Sequence, residues 1–152
     1  MGIQMKRAWL LRFFQSKITK KNPEKWLGDL NQLLTNSIAR TGIDSKSSQK
    51  WRILVGFQLL GLGRYEEAKE LWEVQIDSYR RTTGEGSIEM LEAERGLALC
   101  LAHLGDYNRA REVLQHLYEA QVKVLPINDE RLVWTIRNMQ MIDEDFGERG
   151  QP

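Results

Sequence analysis

The chain has 152 residues, 41% of them hydrophobic and 28% charged, which is enough for one domain with a substantial core. Its 22 Lys and Arg nearly cancel its 21 Asp and Glu, and this excludes the global basic field of a nucleic-acid-binding protein. Cys100 is the single cysteine, so no internal disulfide can form and a reduced, cytoplasmic setting is expected. No apolar run approaches the ~20 residues that a membrane-spanning helix needs.

The start of the chain is one-sided in charge. Lys6, Arg7, Arg12, Lys17, Lys20 and Lys21 occur with no acid, and Trp9, Leu10, Phe13, Phe14 and Ile18 lie among them. Such a segment reads as a first amphipathic helix or as a mitochondrial presequence, and it would also suit an anionic membrane surface. Lys6 stands where a myristoylation signal prefers Ser or Thr.

Further along, the sequence repeats itself. Leu59, Leu62, Gly63, Tyr65, Ala68 and Glu70 return 42 positions later as Leu101, Leu104, Gly105, Tyr107, Ala110 and Glu112. Upstream, the same offset pairs Thr41-Gly42 with Thr83-Gly84, Ser45 with Ser87 and Trp9 with Trp51; downstream, it pairs Gly105 with Gly147. Each copy reads as a helix pair. Trp51, Leu54, Val55, Gln58, Leu59 and Leu62 recur at helical spacing. Gly63 then supplies the left-handed residue that ends a helix. Tyr65, Ala68, Leu71, Trp72, Gln75, Ile76 and Tyr79 form the stripe of the second helix, with Ala68 and Ala110 small where two helices approach closely.

Between copies, Thr83 to Ser87 breaks the pattern and Ser87 is a natural N-cap. Pro126 and Asn128-Asp129 take that part after the third copy, and a last helix over 130–146 ends in the acidic run Asp143-Glu144-Asp145. The predicted fold is therefore all-α: a right-handed superhelical solenoid of antiparallel helix pairs, about 3.5 repeats long. It forms a single domain, 1–152, with repeats at approximately 5–42, 48–83 and 88–125 and a half repeat at 130–147.

The segments Gly63-Arg64-Tyr65-Glu66-Glu67-Ala68 and Gly105-Asp106-Tyr107-Asn108-Arg109-Ala110 resemble tetratricopeptide repeats. The 42-residue spacing and long second helix are similar to the kinesin light chain subclass. Between its helix pairs that subclass usually carries Leu-Gly-x-x-His-Pro-x-Thr-Leu; here Thr83 to Leu91 keeps the Gly and the final Leu and lacks the His-Pro. The resemblance implies a protein-interaction module, an adaptor or scaffold. A second implied role is a ligand- or peptide-sensing region that controls an attached effector such as a signalling ATPase or a transcription regulator. Attachment to an anionic membrane surface through the basic N-terminal helix is a third reading.

Stacked helix pairs line a concave groove with their first helices, so function is expected there. The groove register gives Ile53, Phe57 and Leu60 in the second copy, and Arg95, Leu99 and His103 in the third. Arg137, Asn138 and Met141 follow in the last half copy, and Leu11, Arg12 and Gln15 in the first. Apolar anchors flanked by arginines would receive a protein segment carrying apolar side chains and a carboxylate, which a planar guanidinium grips through two parallel hydrogen bonds. The plainer alternative is that Ile53 and Phe57 are core, because a sandwiched helix buries more than one stripe. End-to-end stacking of copies, basic start against acidic end, is a further expectation.

Little in the sequence suggests catalysis. His103 and His116 do not have metal-ligand spacing. Cys100, between Leu99 and Leu101, reads as an inert buried thiol. Gly61-Leu62-Gly63-Arg64 is a helix end rather than a phosphate loop. No enzyme, cofactor or metal is expected. Of the five tryptophans, Trp9, Trp51 and Trp72 read as packing between layers rather than as interface residues.

Overall fold

A computed structural model describes residues 22–149. The basic N-terminal segment, with the groove positions Leu11, Arg12 and Gln15 and the presequence and membrane-attachment readings, lies outside the described residues. Six helices follow in order: α1 (Pro23–Thr41), α2 (Lys46–Gly61), α3 (Tyr65–Thr82), α4 (Ile88–His103), α5 (Tyr107–Val124) and α6 (Glu130–Arg149). No strand occurs among the described residues, and the chain is an all-α repeat fold. It divides into two compact units, Met1–Arg64 and Tyr65–Pro152. In the first unit α1 packs on α2; in the second, α3 packs on α4, α4 on α5 and α5 on α6.

The 42-residue register reappears as geometry. Gly42 and Gly84 both take positive φ, 90° and 88°, a region that residues with a Cβ enter at a cost. Ser45 accepts from the Ser48 amide, and Ser87 from the Met90 amide, as N-caps of α2 and α4. The hydroxyls of Thr41 and Ser45 lie 2.7 Å apart and those of Thr83 and Ser87 2.8 Å apart. Each Thr-Gly-x-x-Ser linker is thus a self-bonded turn that stops one helix and starts the next. At the turn inside each pair, Gly63 and Gly105 have φ of 73° and 78°. The amides after them, Arg64 and Asp106, return to the carbonyls of Leu59 and Leu101, which satisfies the exposed carbonyl end of the helix.

The third junction uses different chemistry to the same end. Pro126 cannot continue α5, and the Asp129 carboxylate accepts from the Arg131 amide at 3.0 Å to begin α6. That helix runs three residues past the predicted end at position 146.

The second unit is held by the stripe that the periodicity identified: Ala68, Trp72, Gln75, Ile76 and Tyr79 on α3 are buried, as are Ala110, Leu114 and Leu117 on α5. The alanines are fully buried, consistent with their place at close helix approach. In the first unit, α1 contributes Leu27, Leu30 and Leu34, and α2 contributes Val55 and Leu59. Ser37 and Ser48, both buried, bond to each other at 3.0 Å, and Ser48 donates to the Gly42 carbonyl at 2.7 Å. A hydroxyl cluster therefore joins α1 to α2 with its polar atoms satisfied.

Candidate partner-binding face

Burial along α4 separates two sides of the helix. Met90, Leu91, Ala93, Glu94, Leu97, Ala98, Cys100 and Leu101 are buried, whereas Ile88, Glu92, Arg95, Leu99 and Ala102 are exposed or half-buried at helical spacing. Arg95 and Leu99, two of the three groove residues expected on this helix, fall on that open stripe. The third, His103, is exposed at the helix end and stacks in parallel on Tyr65, with ring centroids 4.3 Å apart. It braces the end of α4 against the start of α3.

On α6 the same register holds. Trp134, Arg137 and Met141 stand 42 positions beyond Glu92, Arg95 and Leu99. Arg137 and Met141 are exposed, and Arg137 has no ion-pair partner among the described residues. Asn138 is turned inward on its own helix, its side-chain amide donating to the Trp134 carbonyl at 2.8 Å. On α2, in the first unit, Ile53, Phe57 and Leu60 are each half-buried.

The connection between α4 and α6 runs through a residue that sequence reasoning left unassigned. The Arg95 guanidinium carbon lies 5.5 Å from the centroid of the half-buried Trp134 ring, a cation–π distance. Arg95 also pairs with Glu92, one turn earlier, at 2.8 Å. The signal for Trp134 was present: extending the row of Arg95 and Arg137 by one turn towards the N-terminus reaches Glu92 and Trp134.

Two ionisable groups lie off this face. Glu94 is only 6% exposed and its carboxylate is 3.0 Å from His116 Nδ1 on α5; burial pushes its pKa up, opposed by the imidazole. Cys100 is fully buried and burial raises its thiol to about 12, so it stays protonated and unreactive at neutral pH. Among the described residues no cluster of three His, Cys, Asp or Glu could hold a metal ion, and no helix is long and apolar enough to cross a membrane.

Paired helices with recurring caps and one open stripe on each first helix have a counterpart among known families. The tetratricopeptide repeat profile matches residues 49–121. These residues belong to the tetratricopeptide repeat family. Tetratricopeptide arrays are protein-interaction folds, and two of the structures this chain resembles are of kinesin light chain TPR-like repeats, the subclass to which the 42-residue register points. Two are crystal structures of kinesin light chain nearly identical TPR-like repeats from Podosopora anserina. One has 17% identity and a TM-score of 0.80, over 94% of this chain and 66% of that one. The other, a substituted form of those repeats, has 17% identity and a TM-score of 0.78, over 95% of this chain and 68% of that one. A third is BtubC (BKLC) from P. vanneervenii, with 15% identity and a TM-score of 0.68, covering 96% of this chain and 67% of that one. At these identities the likeness shows the fold. The chain spans about two thirds of the length of each. No curated protein matches the sequence.

Proposed function

We propose that this tetratricopeptide chain is an adaptor whose first-helix face binds a segment of another protein, and that α4 and α6 supply the central part of that face. The observation that carries the reading is the Arg95–Trp134 contact, which ties the open stripes of two successive first helices into one surface. In stacked helix pairs such stripes line the concave side.

The chemistry of the face suggests the kind of segment. Leu99 and Met141 offer apolar contact, and Arg137, one turn from Met141, offers a guanidinium with no ion-pair partner among the described residues. A partner strand or helix placing an apolar side chain beside a carboxylate would satisfy both, the carboxylate through two parallel N–H bonds. Tryptophan and arginine are also the residues in which interface energy concentrates.

The test uses peptides selected from a random twelve-residue display library on the wild-type protein. The double variant Arg95→Glu, Arg137→Glu should lose at least about tenfold in affinity for them, because each charged hydrogen bond contributes roughly 1.5–3 kcal/mol. Unchanged affinity in a folded double variant would discard the face.

A further inference from the structure

We propose that Glu92 is a built-in competitor for the partner's acidic group, holding the Arg95 guanidinium until a carboxylate from the bound segment takes its place. This rests on the binding face proposed above and names what regulates it.

Glu92 and Arg95 form a 2.8 Å pair, with side chains 36% and 27% exposed. The guanidinium carbon stands 5.5 Å from the Trp134 ring centroid, its N–H donors all point outward in the guanidinium plane, and Glu92 already sits on Nη2. Arginine carries five coplanar N–H donors. A carboxylate that grips the Nη2 edge must displace Glu92, and one that comes to the remaining donors meets a guanidinium whose charge Glu92 already offsets.

Two further facts set Glu92 apart from a plain helix-stabilising acid. Its register partners are Lys50 and Trp134, so the repeat does not require a carboxylate there. Arg137, the register partner of Arg95, has Val133 and Trp134 on the preceding turn and no acid to mask it. Glu92 also lies close enough to Arg131 to raise its pKa, behind the larger contribution from Asp129. A carboxylate that replaced Glu92 would meet Arg95, with Arg131 close by though already held by Asp129 and with Arg137 one turn beyond Trp134 on α6, and this charge complementarity commits the occupant to an acidic segment with an adjoining apolar residue.

The expected mode of binding follows. An acidic segment engages the unmasked Arg137 first and then exchanges with Glu92 on Arg95, so the intramolecular pair sets a threshold on affinity. A half-buried pair three residues apart on one helix contributes little to folding, and its removal leaves the fold intact.

The experiment measures retention of the library-selected peptides on wild type, on Glu92→Gln and on the Arg95→Glu, Arg137→Glu double variant, with thermal unfolding of each protein alongside. The inference predicts that the selected peptides are rich in Asp or Glu, that Glu92→Gln binds them about threefold more tightly, and that the double variant loses them. Unchanged or weaker binding by a folded Glu92→Gln protein, with binding still lost in the double variant, overturns the competitor and leaves the face standing. Binding that ignores the double variant overturns both.

Discussion

The indole of Trp72 lies where a side chain on Gly96 would begin: a Cβ at position 96 would stand 2.5 Å from Cε2 and 2.8 Å from Cδ2 of that ring. Trp72 is 1% exposed, so the ring has nowhere to retreat. Gly96→Ala should destabilise the protein by about 1–3 kcal/mol, the usual cost of overpacking. In the Trp72→Leu background the same substitution should cost clearly less, since the two residues share one space. Urea denaturation of the four proteins checks this. Additive effects would mean that the two sites are independent.

Glycines elsewhere should respond with opposite signs. Gly84 sits at φ 88° with no atom within 4 Å of a prospective Cβ, and Gly28 is helical with equally open surroundings. Gly84→Ala meets only backbone strain and should destabilise by roughly 1 kcal/mol. Gly28→Ala should stabilise by about 0.5–1 kcal/mol, because alanine loses less backbone freedom in a helix. Midpoints of thermal unfolding should move down for the first and up for the second.

Rising and falling pH should act on two different carboxyls. Burial raises Glu94 above its ordinary 4.5, so the stability associated with its protonated form is complete below 4.5 and is lost as pH rises through the raised value. Glu94→Gln stays neutral, and its stability relative to wild type should increase from pH 4.5 towards neutrality; a flat or falling difference would contradict the assignment. Asp129 is held below its ordinary 3.8 by the Arg131 side chain, which it meets at 2.8 Å through both Nε and Nη2. Its contribution is present above 3.8 and lost as pH falls through the lowered value. Asp129→Asn keeps a capping side chain and should cost up to about 1 kcal/mol at neutral pH, the cost vanishing in acid. Denaturation curves across pH resolve both.

The surface ion pairs should matter little. Arg109 reaches Glu73 at 3.1 Å and Arg111 reaches Asp143 at 2.7 Å, both pairs largely exposed. Removing either arginine as alanine should change stability by no more than about 1 kcal/mol, less in high salt. A larger loss would mean that these bridges fix the helix stack.

What the sequence revealed and what it hid follow from the range of the interactions. The caps at Ser45 and Ser87 and the turns at Gly63 and Gly105 are local, so a 42-residue offset exposed them. The stripe from Ala68 to Tyr79 is one helix face and could be read from spacing. Gly96 beneath Trp72 and Glu94 beside His116 join residues from different helices, and no spacing within one helix announces such pairs. The open row was legible at Arg95, Leu99, Arg137 and Met141. His103 and Asn138 satisfied the same register, yet one is stacked on Tyr65 and the other bonds its own helix, because register fixes a side chain's direction and not its neighbours. Trp134 stands one turn before Arg137 on the same row, and its link to Arg95 joins two helices, which spacing within one helix does not announce.

The most direct test of the binding face is a photo-crosslinking measurement. Met141 on the α6 stripe, and separately the exposed Gln115 on α5, would be replaced by a benzophenone-bearing residue and irradiated with a library-selected peptide. The account predicts a covalent adduct from position 141 and none from position 115. Crosslinking from position 115 with none from position 141 would contradict it.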